Sequence, residues 1–267
     1  MNIPFVKAHG ARNDFLLTWR DQVPPEVNDF PAVAQAVCNR YTGIGADGWL
    51  LVTAADNADA EGSIQLWNSD GSASEISGNG TRCAAAFLIE AGQAADHVRI
   101  NTGAGLKQIR LLERQGLRFS FEMNMGRAAI EELHGRLPLG SQASDLTILN
   151  VGNPQCAVFV PNFDFDWRTL GARIETHPRF PNRTNVSFIQ VNDQHTLDVR
   201  FFERGAGETM SSGTGSTGAA AAAVARGLAE SPVEVRTPAG PLLLRWENDD
   251  ILLAGPAEIV GRGEFYF

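Results

Sequence analysis

Cysteine is scarce in this chain. Cys38, Cys83 and Cys156 are three in number, widely separated and unpaired by spacing. That excludes a disulfide framework and a thiol-based zinc site, and fits a reducing compartment. The five histidines are scattered and offer no metal-ligand spacing. No basic cluster interrupts the formal net charge of −9 at pH 7. An acidic surface repels nucleic-acid backbone and anionic lipid, so neither partner is expected. No apolar run reaches the length of a membrane span. The N-terminal MNIPFVKAHGARNDF lacks the basic stretch and long apolar core of a signal peptide. These absences leave the expectation of a cytoplasmic protein with a small-molecule ligand.

What is present is an ordinary globular composition, 43% hydrophobic and 20% charged over 267 residues. That is enough for one large domain or two of average size. The chain also repeats itself. SGNGTRCAAAF begins at Ser77 and SGTGSTGAAAA begins at Ser212, an offset of 135 residues. The same offset pairs Asn68 with Glu203, Gly92 with Gly227, and VRINTGAG from Val98 with VEVRTPAG from Val233. It also pairs Thr102, Ala104, Gly105 and Arg110 with Thr237, Ala239, Gly240 and Arg245. Two alanine-rich helices would look alike anyway, but that does not explain the aligned Thr-x-Ala-Gly blocks. Upstream, with small gaps, Asn13 and Asn153 each follow a glycine-containing turn. Self-similarity of this kind marks a duplicated unit.

Each unit reads as short strands around one helix. LDVRFFE, RFSFE and VEVRT alternate as half-buried strands do. IPFVKA, DFLLTW, GWLLV, QCAVFV and VSFIQV are further strand candidates. Residues 79–91 and 214–226 are alanine-rich and each run ends at a glycine, which predicts two helices. Shorter helices are expected at 30–40 and 165–175. The stretch from Gly126 to Asp145 has little periodicity and is expected to hold the interdomain connection. The fold class is therefore α+β: two pseudosymmetric domains, each a mostly antiparallel sheet wrapped around a central helix. The expected domains are 1–122 and 123–258, with a strand at 259–267 as a candidate to return to the first. The crevice between them is the expected place for a ligand.

A Ser-Gly-x-Gly turn at the start of a helix has a plain structural role, because serine is a favoured N-cap. Such a turn also leaves backbone N–H groups without intrahelical acceptors, and the helix dipole adds to their attraction for an anion. Two copies could hold one carboxylate and set Ser77 and Ser212 on opposite faces of its α-carbon. One side chain would remove a proton and the other return one, while the helix termini stabilise the charge that builds on the carboxylate. This chemistry needs no cofactor.

The motifs HGARNDF, GIGADG, NSDGSASEISGNGTRC, GNPQC, RTNVSF and ERGAGETMSSGTG resemble, in order and spacing, those of the diaminopimelate epimerase family across essentially the whole chain. The resemblance implies a pseudosymmetric two-domain isomerase, independent of pyridoxal phosphate. It implies interconversion of LL- and meso-diaminopimelate for lysine and peptidoglycan synthesis, and admits a homodimer. It places Asn13, Asn68, Asn153 and Asn185 on the substrate, and Gly78, Asn79, Gly213 and Thr214 on the reacting carboxylate. Glu203 and Arg204 fall beside the substrate amine and distal groups. On residue type alone, Asn68 in NSDG reads equally as a turn residue, and Glu203–Arg204 as a solvated pair at a strand end.

The chain departs from the family at its centre. The family's acid and base are cysteines, and Ser77 and Ser212 stand here instead. A thiol ionises near pH 8.5, whereas a serine hydroxyl is a far weaker acid that needs a partner base, and the sequence displays no evident base beside either serine. Cys83, six residues past Ser77, reads as a buried structural thiol. Arg12 replaces a usually small residue, and is expected to face solvent or reach an acidic group. Gln155 stands where the family often has histidine. The expectation is an epimerase scaffold with impaired turnover. The alternatives are an isomerase or dehydratase of another small amino or hydroxy acid, and a catalytically silent amino-acid-binding protein.

Overall fold

A computed structural model of the chain describes residues 2–55, 59–139 and 142–266. The chain divides into two compact units, one of residues 1–123 with 255–267, the other of residues 124–254.

In the first unit the elements run β1 (Asn2–Gly10), β2 (Asn13–Trp19), α1 (Phe30–Cys38), β3 (Gly48–Ala54), β4 (Gly62–Asn68), β5 (Ala73–Ser74), α2 (Gly78–Glu90), β6 (His97–Thr102), β7 (Gly105–Gln115) and β8 (Arg118–Asn124). β1 pairs antiparallel with β2, β2 runs parallel to β3, β3 antiparallel to β4, and β4 parallel to β6. β6, β7 and β8 then form an antiparallel meander. The second unit contains β9 (Ala129–Leu139), β10 (Gln142–Asn150), β11 (Pro154–Phe159), α3 (Trp167–Glu175), β12 (Asn185–Asp193), β13 (Thr196–Glu203), β14 (Gly207–Thr209), α4 (Gly213–Ala225), β15 (Val233–Thr237), β16 (Gly240–Glu247) and the start of β17 (Asp250–Tyr266). Its pairing repeats the same alternation. β10–β11 is antiparallel, β11–β12 parallel, β12–β13 antiparallel, β13–β15 parallel, and β15–β16–β17 antiparallel. The later residues of β17 pair antiparallel with β1, from His9↔Glu258 to Asn2↔Tyr266. β8 also pairs with β17, which closes the ring of strands in the first unit.

Why the central helices are so rich in alanine follows from this enclosure. α2 touches β1, β2, β3, β4 and β6, and α4 touches β9, β10, β11, β12, β13, β15 and β16. A helix that is surrounded on every side has to be apolar all round. Small side chains let the strands approach at native packing density. Ala84, Ala85, Ala86, Ala219, Ala220, Ala222 and Ala223 are all fully buried. Both helices start one residue before the expected positions. Gly92 and Gly227, at φ 71° and 69°, terminate them in the left-handed conformation that glycine adopts most readily.

The expected short helices are present as α1 and α3. The stretch 126–145 differs from expectation. Apart from residues 140 and 141, which lie outside the described residues, it contributes to two paired strands, β9 and β10. Their register shifts between Leu146 and Ile148 and again between Ile148 and Leu149, so bulges interrupt the period-two pattern that reveals a strand. β7 offered little signal for a related reason: of its eleven residues only Ile109 is buried.

The β1–β2 hairpin is closed by Ala11 and Arg12, both in the left-handed region at φ 49° and 61°. The β16–β17 hairpin is closed in the same way by Asn248 and Asp249, at φ 50° and 70°. Asn and Asp tolerate this geometry, whereas Arg does so at a cost of about 1–2 kcal/mol. Arg12 is exposed. Arg12→Gly is therefore expected to stabilise the protein by about 1 kcal/mol, read as a higher midpoint in thermal or denaturant unfolding. An unchanged or lower midpoint would mean that the Arg12 side chain contributes more than its backbone costs.

Candidate functional site

In the first unit, Ser77 is the N-cap of α2. Its backbone is extended (φ −130°, ψ 121°) and its hydroxyl accepts the Gly80 N–H at 3.1 Å. Gly10 of HGARNDF lies against the first turn, where a Cβ would come 3.1 Å from the Asn79 carbonyl oxygen. A side chain at position 10 would crowd this first turn. Asn79, 2% exposed, donates from Nδ2 to Asn13 Oδ1 at 3.2 Å and accepts from the Arg82 guanidinium. Asn13 in turn donates to Asp47 Oδ2 at 2.6 Å, and the same oxygen accepts the Asp14 N–H. Arg40 bridges Asp14 and Asp47 at 2.7 Å each. Burial pushes the Asp14 pKa up, but hydrogen bonds from Arg40 and Lys7 outweigh it and hold the carboxyl below its ordinary value. HGARNDF and GIGADG are thus one construction, in which Asp47 fixes the orientation of Asn13. Asn68 ends β4 in a tight turn, donating to Ser72 Oγ at 3.0 Å. The next residue, Ser69, donates its N–H to the Asp47 carbonyl. Asn68 therefore lies beside the same construction but bonds within its own turn.

In the second unit, Ser212 is the N-cap of α4 (φ −140°, ψ 122°), 4% exposed, and accepts the Gly215 N–H at 3.1 Å. Gly215 is obligatory, since a Cβ there would lie 2.8 Å from the Phe201 ring and 2.9 Å from Ser212 Oγ. The Ser212 hydroxyl donates to Glu203 Oε2 at 2.8 Å, and Thr209 Oγ1 donates to Glu203 Oε1 at 2.6 Å. The absence of an evident base beside the serines is therefore corrected at Ser212. β13 ends at Glu203 and β14 folds back against it, Glu203↔Gly207, which returns the chain to the carboxylate at Ser212. The equivalent residue before Ser77 is the neutral Asn68, so the two caps differ in charge. Asn185 accepts the Arg204 N–H at 3.0 Å and donates to the Pro154 carbonyl. The neighbouring Gly205 N–H is held by the buried Glu175 carboxylate at 3.0 Å. Asn153 donates to Thr214 Oγ1 at 3.3 Å, and Gln155 donates to Asn153 Oδ1 at 2.7 Å. Within this unit Asn153, Glu203, Ser212, Gly213 and Thr214 therefore meet at the start of α4, while Asn185 is bonded to the backbone of Arg204, the residue after Glu203.

The arrangement has definite chemical capacity. Each cap uses a serine oxygen on an inner N–H and leaves the outermost N–H groups of the helix without an intrahelical acceptor. Gly78–Asn79 and Gly213–Thr214 can therefore hold anionic oxygens. Glu203 can take the proton of Ser212 as the hydroxyl attacks or abstracts. No cysteine supplies an alternative: burial pushes the thiols of Cys38 and Cys83 up to about 12, and that of Cys156 higher still. Among the described residues no group of three His, Cys, Asp or Glu could hold a metal ion. Sequence reasoning overlooked Asp47, Arg40, Arg82 and Glu175. Asp47 and Arg82 lie in quoted motifs and Arg40 beside one, but nothing local shows which side chains they meet. A cavity of about 460 Å³ at the other end of α2, lined by Trp19, Phe87 and Arg262 among others, contains none of the expected residues.

Known proteins point the same way. The family model for diaminopimelate epimerase matches residues 5–131 and 147–260. The chain is 40% identical to the diaminopimelate epimerase of Pelotomaculum thermopropionicum, covering 98% of both chains, and 37% identical to that of Moorella thermoacetica over the same shares. Its fold is similar to that of a hydroxyproline epimerase from Agrobacterium vitis, with a TM-score of 0.73 at 16% identity, over 98% of this chain and 92% of that one. It is also similar to a PhzF-family phenazine biosynthesis protein of Bacillus anthracis, with a TM-score of 0.74 at 16% identity over both full chains. Among the described residues no helix is long and apolar enough to cross a membrane. With family motifs in both units and full-length relatives at this level of identity, the chain belongs to the diaminopimelate epimerase family of isomerases.

Proposed function

We propose that the protein is a cytoplasmic, pyridoxal-phosphate-independent epimerase of diaminopimelate, slowed by the two serines at its acid and base positions. The observation that carries this reading is the pair of equivalent helix caps, Ser77 on α2 and Ser212 on α4, each beside an oriented asparagine. The N–H groups of Gly78–Asn79 and Gly213–Thr214 receive the substrate carboxylate and stabilise the charge that builds on it when the α-proton leaves. Ser212 Oγ takes the α-hydrogen as its own proton passes to Glu203. The electron pair left on carbon spreads into the carboxylate, and the Ser77 hydroxyl returns a proton. Asn13, Asn68, Asn153, Asn185 and Arg204 hold the remaining polar groups of the amino acid. The difference between Glu203 and Asn68 favours one second reading, an isomerase or dehydratase in which only one face requires a base.

Proton exchange at Cα in deuterated water, with LL- and meso-diaminopimelate, separates these readings. The unmodified protein is expected to bind diaminopimelate and exchange slowly. Ser77→Cys combined with Ser212→Cys is expected to accelerate exchange with inversion by roughly a hundred- to ten-thousand-fold, and either single change to give little. A parent as fast as the double variant would show that serine is a competent base here. Exchange without inversion, or loss of water, would support the second reading, and binding without any exchange in the double variant would point to a different substrate.

Glu203→Gln keeps the shape of the Ser212 partner and removes its capacity to accept a proton. It is expected to lower the parent's residual exchange by about a hundredfold while leaving the thermal midpoint within a few degrees. Undiminished exchange in that variant would remove Glu203 from the proton path.

A further inference from the structure

Gln155 is 1% exposed, and its Oε1 has no hydrogen-bond partner among the described residues. A buried acceptor without a partner costs about 1–3 kcal/mol, so an amide at this position demands an explanation. Its other end supplies one. Nε2 donates to Asn153 Oδ1 at 2.7 Å, and Asn153 Nδ2 donates to Thr214 Oγ1 at 3.3 Å. The side chain is held in place by packing as well. Gly218 of α4 faces it so closely that a Cβ there would come 3.1 Å from Gln155 Cγ. The strand partners of Gln155 are Leu149 on β10 and Asn185 on β12, and none of these three neighbours can titrate.

The direction of the bonds matters. An amide offers a donor at one end and an acceptor at the other. Because Gln155 donates to it, Asn153 must present its NH2 group to Thr214. Thr214 Oγ1 then acts as acceptor towards Asn153, and its own hydrogen is left to donate at the start of α4. Without the donor at 155, the Asn153 amide is free to turn over and offer Oδ1, which would draw the Thr214 hydrogen away from the ligand. The first unit solves the same problem differently. There Asn79 donates to Asn13, and the chain is anchored by Arg82 at one end and Asp47 at the other.

We propose that Gln155 is a positioning residue that acts through Asn153 to keep the Thr214 hydroxyl a hydrogen-bond donor to a carboxylate bound at the N-terminus of α4. The relay rests on the functional reading above only in its choice of ligand. Its direction is a property of the free protein.

A double-mutant cycle on the full chain tests it, with meso-diaminopimelate as the probe and calorimetry as the readout. Gln155→Met and Thr214→Val are each expected to weaken binding by about tenfold or more, the scale of a hydrogen bond to a charged group. The combined variant should bind no more weakly than Thr214→Val alone, because the first change acts only through the second residue. Independent, multiplying effects, or a Gln155→Met protein that binds like its parent, would overturn the relay. A merely structural role for Gln155 would lower the unfolding midpoint without this coupling. Gln155→Glu provides a second arm that needs no ligand. Above the titration of that carboxyl, which burial raises, it cannot donate and the Asn153 amide should reverse. Below the titration it donates again. The Asn153 side-chain amide resonance of the ligand-free protein is therefore expected to follow pH in Gln155→Glu and to stay constant in the parent. A pH-independent Asn153 amide in that variant would refute the relay. A parent that binds no diaminopimelate while the amide follows pH would leave the relay standing and remove the substrate assignment instead.

Discussion

The hydrogen bond from a helix N–H to a serine hydroxyl at each cap is the contact on which the candidate site residues of each unit depend. Ser77 and Ser212 each accept an N–H from the glycine three residues on, at 3.1 Å. That bond stops the helix at a fixed residue and keeps the serine backbone extended. It also leaves the outermost N–H groups facing out of the helix end. The enclosure of α2 and α4 by strands gives these ends their rigidity. A helix buried on every side cannot fray or shift without opening its sheet, and the alanines that line it leave no room for rearrangement. Glycines at 10 and 215 then mark where neighbouring groups come closest to the caps.

Charge is distributed unequally around the two caps. The first is framed by ions: Arg82 is fully buried, with burial lowering its pKa to about 10, and Asp14, Asp47, Arg40 and Lys7 form a partly buried cluster behind Asn13. These charges orient neutral amides and do not touch Ser77 itself. The second puts its carboxylate directly on the serine hydroxyl, through Glu203, and holds its asparagine with a neutral glutamine. Among the described residues a proton acceptor is therefore built into one cap and not into its equivalent. Buried charges in such positions are costly unless each is paired. Glu175, 3% exposed, meets that condition through Arg183 and the Gly205 N–H, whereas fully buried Arg82 donates to neutral acceptors, Asn79 Oδ1 and the Pro256 carbonyl, and its Nη1 has no partner among the described residues.

Much of the fold was legible because local physics was strong where it mattered. The 135-residue offset recurs in the structure as equal helices, Gly78–Glu90 and Gly213–Ala225, each with a serine cap and a glycine beyond its end. Strands with regular alternation, such as LDVRFFE at β13, were equally plain. β9 and β10 were hidden by register shifts, and β7 by its exposure, since a strand with little to bury carries little pattern. At the candidate site, residue types came from the motifs, and most of their partners did not.

The duplication, the α+β class, the two caps and the departure from cysteine at both of them can be read from residue order alone. The caps and helices are written within a dozen residues, in helix formers, glycines and N-cap serines, and the duplication shows as the recurrence of such blocks 135 residues apart. Only the tertiary structure decided that Asp47 holds Asn13 across 34 residues of sequence, that Asn153 reaches Thr214 across 61, and that Glu203 closes on Ser212 through the β13–β14 reversal. The physical reason is that a hydrogen bond needs its partners within about 3 Å and in the right orientation. Strand pairing and helix enclosure set those distances, and neither leaves a mark on the local composition of the residues they bring together.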